Sequence, residues 1–474
     1  MTTPRHFKFA LTIMAVATLY GCASYDVQKG VDRASLDAKD FVKNDLQLAR
    51  TEEDRQKRQA TSAQLLLNPV GQTEAVQLML ANSPAFQALM AQNWAEAANA
   101  AQSGRISNPV FSYESVVTGS ETEINRFLTF GLLDILTLSQ RSAMAEHRME
   151  QAQIRFASEI VDRVTQVRQA WVRAVAAEQS FVYAQQVYDS AEASAELARR
   201  MESVGNFNRL TRARHQAFYA DAATQLVTAK QNAVSKREEL VRLLGLDEAQ
   251  AEKFKLPARL PAIPKNPMST EEVGKEASRN RLDVQLAKAT LNASAKAQGL
   301  VGITSFTDIE LSARRGSVSD SATGTTTSRR GYEVGVRLPI FDWGTMQRDA
   351  MNAQTLAAAN NLEATVRSAG SSLRENYAAY RSAYDISRHY KDEVLPLRKV
   401  LADENILRYN GMIIGVFELL ADARDQVATV VSAIAADQQF WIADAALKAN
   451  LIGRPTSSGV SSISNTSSNL VANH

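Results

Sequence analysis

Gly205-Asn206-Phe207-Asn208-Arg209-Leu210-Thr211-Arg212-Ala213-Arg214 and Gly415-Val416-Phe417-Glu418-Leu419-Leu420-Ala421-Asp422-Ala423-Arg424 share the pattern G-x-F-x-x-L-x-x-A-R within one chain of 474 residues. Each decapeptide runs into a long stretch free of Gly and Pro that stops at a glycine, Gly245 or Gly453. Each is also preceded by long helical sequence. One matched decapeptide could arise by chance; matched flanks point to one plan used twice. Working outward, each half has four parts. A helix of about 30 residues comes first, Thr73 to about Ser103 and Thr270 to about Gln298, opening on Thr-Glu-x-Val with Thr as cap and Glu in the first turn. A strand-loop-strand segment follows. A long helix comes third, about Leu138 to Val204 and about Thr345 to Asn410, and the fourth part returns from the decapeptide to the terminal glycine. The repeats are placed at 71–250 and 266–453, after a polar tether at 22–70 and before a Ser/Thr/Asn-rich tail at 454–474 read as disordered.

The first long helix has neither Gly nor Pro and would reach roughly 100 Å at the α-helical rise. Its counterpart contains Gly370 and Pro396, and Pro396 is expected to kink or interrupt it. Ile154, Ala157, Ile160, Val161, Val164, Val167 and Trp171 recur at three and four, a helical stripe. Helices this long cannot bury a stripe on a compact globule, so they must pair as coiled coils, and the many Ala positions let axes approach closely.

The strand segments alternate with period two. Tyr332, Val334, Val336, Leu338 and Ile340 interleave with Gly331, Glu333, Gly335, Arg337 and Pro339. Their partner runs from about Asp308 to Val318, with Ile309, Leu311 and Ala313 against Asp308, Glu310, Ser312 and Arg314, across a polar loop at Ser319 to Ser328. The first half offers Val110 to Thr118, a turn near Gly119-Ser120-Glu121, and Ile124 to Leu132, with Phe111, Tyr113 and Val117 against Ser112 and Glu114. Strands of about ten residues with one apolar and one polar face match transmembrane barrel strands; the alternative is a soluble hairpin capping a bundle. The position of both hairpins at the same place in both halves favours the barrel. One chain supplies four candidate strands, whereas the smallest closed bacterial barrels use about eight, and an open edge is not viable in lipid. The barrel must be shared, and three copies give twelve strands.

The N-terminus is a targeting segment. Arg5, His6 and Lys8 precede an apolar run from Phe9 to Leu19, and Leu19-Tyr20-Gly21-Cys22 resembles a bacterial lipobox. The run is shorter than the roughly 20 residues that span a bilayer, so 1–21 reads as a lipoprotein signal peptide and Cys22, the only cysteine, as the lipidation site. Ala23 follows where an Asp often signals inner-membrane retention, which favours the outer membrane by analogy. Net charge is +2, from 53 basic and 51 acidic side chains, and gives no electrostatic reason to propose nucleic acid. Hydrophobic residues make up 45% and aromatics only 7%, so the interior must be built from Ala, Val, Leu and Ile, which suits packed helices.

These features together resemble the TolC-like outer-membrane efflux protein family over about residues 70 to 453. The most specific pieces are Tyr409-Asn410-Gly411 running into Gly415-Val416-Phe417-Glu418-Leu419-Leu420, Leu395-Pro396, and Leu338-Pro339-Ile340-Phe341-Asp342-Trp343-Gly344 at the strand-to-helix junction. The first half has Leu132-Leu133-Asp134-Ile135-Leu136-Thr137 there, a departure from the family's Pro-Phe-Asp-Gly form. The resemblance implies a mainly α protein with a small β part, trimerising into a shared twelve-stranded β-barrel in the outer membrane of a Gram-negative bacterium and a periplasmic α-helical barrel. It implies an adaptor protein at the helical tips and an inner-membrane pump that does the energised work. The tips are then Val204, Gly205, Asn206 and Phe207, and Gly411, Met412, Ile413, Ile414, Gly415, Val416 and Phe417.

Glu418, Asp422 and Asp425 fall at i, i+4 and i+7 on one helix face, close to where the family carries acidic rings. The first copy has Asn208, Arg212 and His215 there, with Arg209 and Arg214 nearby. The expectation is that Arg209 or Arg212 pairs with Glu418 or Asp422 to hold the entrance shut, and that the adaptor shifts this equilibrium; the alternative is solvated charges worth under about 1 kcal/mol each. No H-E-x-x-H, Walker loop or G-x-S-x-G occurs, and His6, His147, His215, His389 and His474 lack metal-ligand spacing, so no enzyme and no cofactor is expected. The function implied is a passive exit duct of a tripartite efflux or type I secretion system, with drugs, metal ions or polypeptides all open as cargo. The rival is a periplasmic coiled-coil structural lipoprotein without a pore.

Overall fold

The computed structural model describes residues 41, 46, 48–277, 281–305 and 307–455. Cys22 and the leader at 1–21, the tether up to residue 40 and the tail from 456 lie outside the described residues. In chain order the elements are α1 (Glu52–Leu65), α2 (Gln72–Asn82), α3 (Pro84–Ser103), β1 (Val110–Thr118), β2 (Glu121–Gly131), α4 (Leu132–Leu136), α5 (Leu138–Ser203), α6 (Arg209–Leu244), α7 (Glu248–Lys253), α8 (Thr270–Ala277), α9 (Leu282–Thr304), β3 (Ile309–Asp320), β4 (Thr325–Val336), α10 (Thr345–His389), a π segment (Tyr390–Val394), α11 (Leu395–Asn410) and α12 (Val416–Leu451). The chain divides into two compact units, and both draw on both repeats. One holds Leu89–Ala157 and Asp283–Arg367, with the strands; the other holds Ser158–Leu282 and the described parts of Ala38–Ala88 and Ser368–His474, with the tips.

In the first unit the two hairpins form one antiparallel sheet in the order β1-β2-β3-β4. The hairpin of each half closes on itself, and β2 joins β3 across the repeat from Glu121↔Asp320 to Gly131↔Glu310. Side chains hold that seam: Thr129 Oγ1 and Ser312 Oγ lie 2.7 Å apart, and the Arg314 guanidinium donates to Asn125 Oδ1 at 3.2 Å and Glu123 Oε1 at 3.1 Å. A Cβ on Gly316 would lie 2.4 Å from Asn125 Oδ1, so a side chain there would displace the Asn125 amide from the seam. The strand extents differ from expectation in the second half. β3 and β4 run to Asp320 and from Thr325, so the turn is only four residues long where a ten-residue loop is expected. At the other end β4 stops at Val336. Pro339 cannot donate to a ladder, and the last bond is Arg337 N–H to Asp308 O at 3.0 Å.

α5 runs unbroken for 66 residues, with the expected bounds to within one residue. Its stripe from Ile154 to Trp171 is buried throughout. Trp171 Nε1 donates to Val70 O at 2.8 Å, so the one polar atom of the stripe's largest side chain is satisfied. Its counterpart is interrupted as expected. Pro396 lacks an N–H, and its ring would press on the carbonyl of Asp392. The backbone widens into the π turn, in which Leu395 N–H bonds to Tyr390 O, five residues back.

The expected 30-residue helices are each two helices. Ser83 precedes Pro84 and is driven to ψ 118°, which ends α2 and restarts the chain as α3. In the second half α8 ends at Ala277 and α9 begins at Leu282. Neither threonine is the cap: Gly71 holds that place before α2, and Ser269 accepts from Glu272 N–H while Glu272 accepts from Ser269 N–H at 2.8 Å. The tether is not featureless either. Thr51 and Asp54 form a reciprocal capping box that starts α1.

Aromatic side chains hold the second unit's inter-repeat connector. Tyr380, Tyr384, Phe440, Ala443 and Leu447 make a buried cluster with Val273. From its rim Tyr384 Oη donates to Lys265 O at 2.7 Å, Tyr377 Oη to Met268 O at 3.2 Å and Trp441 Nε1 to Pro261 O at 3.0 Å. The connector has no partner strand, so these donors satisfy carbonyls a coil would otherwise leave to water.

Candidate functional site

Two regions carry the residues singled out by the sequence, one in each unit. In the tip region the two turns differ in build. α5 ends in a Schellman turn: Gly205 takes φ +80°, Asn206 N–H bonds to Met201 O at 2.8 Å and Gly205 N–H to Glu202 O at 2.9 Å. Asn208 then caps α6 by accepting from Thr211 N–H at 2.8 Å. α11 ends in the same hydrogen-bond pattern, Ile413 N–H to Arg408 O and Met412 N–H to Tyr409 O, both 2.9 Å. Here the left-handed residue is Met412, at φ +58°, and Gly415 is instead the N-cap of α12. Met412 is 93% exposed, and Val204, Leu210, Ile413 and Phe417 are exposed with it. Charged helices thus end in bare apolar tips.

Behind the tips the two hairpins are bridged by cations of one and acids or rings of the other. Arg424 donates to Asp221 Oδ2 at 3.0 Å and lies 5.7 Å from the centre of the Phe218 ring. The Arg214 guanidinium lies 4.7 Å from the centre of the Phe417 ring. Both arginines end the repeated decapeptide, so the cation shared by the two copies binds them together. A groove of about 820 Å³ runs beside the bridge, lined by Tyr183, Val187, Phe218, Val427 and Val431 among others.

The expected gate pair is not made within one chain. Arg212 Nη1 is 2.7 Å from Glu202 Oε2, in its own hairpin, and Asp425 Oδ2 is 3.6 Å from Arg398 Nη1. Glu418 and Asp422 make no ion pair among the described residues, nor does Arg209. His215, aligned with Asp425 by the repeat, is buried; its ring stacks on Phe207 at 6.1 Å and its Nδ1 is 2.7 Å from Ser194 Oγ. Burial lowers its pKa from the ordinary 6.5, which keeps the imidazole neutral at neutral pH. Sequence reasoning placed Arg212, Glu418 and Asp422 at the tips but missed Glu202, Asp221 and Arg398, which lie on other helices and carry no pattern of their own.

In the strand region the register assigns every residue to a face. Ser112, Glu114, Glu121, Glu123, Asn125, Glu310, Ser312, Arg314, Asp320, Arg329 and Glu333 share one side. Phe111, Tyr113, Val117, Ile124, Leu128, Phe130, Ile309, Leu311, Ala313, Tyr332, Val334 and Val336 share the other. The expected division holds for these residues, while Val110, Val116, Phe127 and Val318 fall on the polar side, and Arg126, Arg315 and Arg330 with Ser115, Thr122, Ser317, Ser319, Thr326 and Ser328 fall on the other. β1 and β4 each pair on one side only, so the sheet has two bare edges. The two strand-to-helix junctions differ as their sequences do. In the first, Asp134 of the short α4 pairs with Arg141; in the second, Asp342 Oδ1 accepts from Gly344 N–H at 2.8 Å. No helix among the described residues is long and apolar enough to cross a membrane.

Residues 273–449 match the model of the family described as outer membrane efflux protein. No curated protein sequence matches the chain. Among solved structures, a membrane protein from Pseudomonas aeruginosa aligns with a TM-score of 0.67 at 16% identity, covering 80% of this chain and 93% of its own. The outer membrane protein VceC from Vibrio cholerae gives 0.66 at 15%, covering 82% and 96%. The CmeC outer membrane channel of Campylobacter jejuni gives 0.65 at 14%, covering 88% and 87%. At these identities the likeness is one of fold, and it takes in both repeats. The bare-edged four-stranded sheet and the paired long helices agree with these matches: residues 273–449, within the second repeat, match the outer membrane efflux protein family, and the chain as a whole shares the fold of the solved outer membrane channels.

Proposed function

We propose that three copies of this chain close into a passive exit duct for a tripartite efflux or type I secretion system, with a twelve-stranded barrel in the outer membrane continued into the periplasm by the helices. The observation that carries this reading is the pair of bare sheet edges. β1 and β4 span nine and twelve residues, close to the roughly 9–11 of a tilted transmembrane strand. Their outer faces are exposed and are apolar at Phe111, Tyr113, Val117, Tyr332, Val334 and Val336. In lipid every backbone group on those edges must find a partner, and a neighbouring copy supplies it. The face carrying Glu114, Glu123, Arg314, Arg329 and Glu333 then lines water. The groove beside Phe218 and Val431 leaves apolar helix surface for a neighbouring chain to cover. The chain supplies no energy in this scheme; an inner-membrane pump does, and a periplasmic adaptor docks on the tips around Val204 and Met412. Cys22 is the lipid anchor.

The gate belongs to the same reading, now between chains. Arg209, Glu418 and Asp422 make no ion pair among the described residues, which supports a pairing of Arg209 of one subunit with Glu418 or Asp422 of the next. In planar bilayers the wild-type duct should conduct weakly and ohmically, and Arg209→Ala and Asp422→Ala should each raise that closed-state conductance several-fold. Unchanged conductance in both variants removes the gate; no conductance from any preparation removes the duct.

A further inference from the structure

The apolar face of the sheet carries three residues that a lipid-facing surface does not explain. The register puts Arg126 opposite Arg315, and Arg315 opposite Arg330, in one transverse row on the same side as Phe111, Leu128 and Val334. Tyr113 completes the row on β1. All three arginines are exposed. Adjacent strands are about 4.8 Å apart, so three like charges stand shoulder to shoulder, an arrangement that destabilises a sheet unless something neutralises it. Among the described residues nothing does. Every carboxylate of the four strands lies on the opposite face, at Glu114, Glu121, Glu123, Glu310, Asp320 and Glu333. The contrast with the neighbouring arginines is direct. Arg314 and Arg329, one residue along, face inward and reach Glu123 at 3.1 and 3.9 Å, whereas Arg126, Arg315 and Arg330 make no ion pair among the described residues.

The row also marks a boundary. On its helix side, outward positions are apolar: Leu128, Ala313 and Tyr332, then Phe130, Leu311 and Val334, then Ile309 and Val336. On its turn side they are mostly hydroxyls: Ser115, Ser317 and Ser328 around Ile124, then Thr122, Ser319 and Thr326 beside Val117. From Arg330 the outward alternation runs to Val336, where β4 ends; beyond it Leu338, Ile340, Phe341 and Trp343 are all exposed. The apolar rows from Leu128 to Val336 cover roughly 15 Å along the membrane normal at the strand rise and barrel tilt, and the exposed apolar side chains beyond β4 continue that surface towards the roughly 25 Å of a barrel's apolar band. Phe341 and Trp343 then mark one interface and the arginine row the other. An arginine at the bilayer midplane is strongly destabilising and at the interface nearly neutral, which fixes the row at the head-group level.

The row crosses the middle of the strands, on the turn side of the apolar rows, and the helices attach at the ends away from the turns, so, on the duct reading above, on which this inference rests, the row faces the outer leaflet. We propose that Arg126, Arg315 and Arg330 form a phosphate-binding row for the phosphorylated glycolipid of that leaflet. The guanidinium fork matches phosphate oxygens bidentately, and three forks in line offer a site that one lysine would not. In the closed trimer the row recurs three times and makes a cationic girdle, which seats the barrel at a set depth.

The test uses the full-length wild-type trimer, purified in neutral detergent and mixed with diphosphorylated lipid A or with the same glycolipid stripped of phosphate. Bound lipid is counted by native mass spectrometry. The wild type should bind the phosphorylated form about ten-fold or more better. The Arg126→Gln/Arg315→Gln/Arg330→Gln variant should lose that preference, and Arg329→Gln, on the inner face, should keep it. Equal binding of the two lipids by the wild type overturns the proposal, as does a triple variant that binds like the wild type or an Arg329→Gln variant that loses as much. If the triple variant gives no trimer, the wild-type comparison alone decides. A wild type that forms no SDS-resistant trimer sinks the duct and the row together; a trimer indifferent to phosphate sinks only the row.

Discussion

His215 is 9% exposed, with Nδ1 against Ser194 and with Nε2 buried and without a hydrogen-bond partner among the described residues. Burial depresses its folded pKa below the ordinary 6.5. The unfolded hairpin therefore binds a proton first as pH falls, so the contribution of His215 to stability is complete above the ordinary value and is lost as pH drops below it. Hydrogen exchange in α5 and α6 near the tip, corrected for intrinsic rate, should show less protection at about pH 5.5 than at about pH 7.5. His215→Gln should abolish the difference; equal protection in the wild type contradicts the assignment. Met412 makes the second residue-scale case. A left-handed non-glycine residue costs about 1 kcal/mol or more, with no contact from its exposed side chain to offset it. Met412→Gly should slow exchange around this turn by about five-fold. Unchanged or faster exchange would show that the turn is not strained. The shared G-x-F heading implies one turn used twice, yet the chain uses two. The positive φ falls on Gly205 in one copy and three residues before Gly415 in the other, because the preceding helix, not the motif, sets where the chain turns.

Among the elements, the break at Ser83-Pro84 and the stop at Gly245 form one joint. Asn82 Nδ2 donates to Gly245 O at 2.7 Å, and a Cβ on Gly245 would meet Pro84 Cδ at 2.7 Å and Ser83 Cα at 2.8 Å. Gly245 also takes φ +66°. The second repeat rebuilds the joint with other atoms: Leu282 N–H bonds to Ile452 O at 2.8 Å, beside Gly453 at φ +87°. Gly245→Ala combines left-handed strain with a backbone clash and should destabilise by about 2–3 kcal/mol, read as a lower apparent melting temperature with the conductance of surviving trimers unchanged. A melting point equal to wild type would mean the joint gives way without cost. The glycine stops were legible because a long Gly-free run makes a single Gly conspicuous. The breaks were not: apolar spacing runs on through Ser83, and only Pro84 marks the spot. The far half of β4 was illegible for another reason. Thr325 to Ser328 put hydroxyls on both faces, so period two leaves no contrast, and pairing with β3 alone makes the strand.

For the molecule as a whole, repeat and compact unit are different divisions. The sequence shows the repeat, because each copy keeps its order of parts; the units mix the copies, because β2 must find β3 and Arg424 must find Asp221 across the chain. Closure between chains is the claim on which the duct rests, and the sheet's geometry allows a clean test. β1 and β4 of one chain are separated by three strand spacings, about 14 Å, whereas a disulfide needs Cα atoms within about 7 Å. A bond between them can form only between neighbours, and Cys22 is the sole native cysteine. Ser115→Cys should be combined in turn with a cysteine at each position of Thr325–Val336, oxidised in intact outer membranes and run on a denaturing gel. The account predicts a register at which the product is a covalent ring of three chains, reversed by reductant. A full scan with only monomers, or with products that stop at two chains, would contradict it.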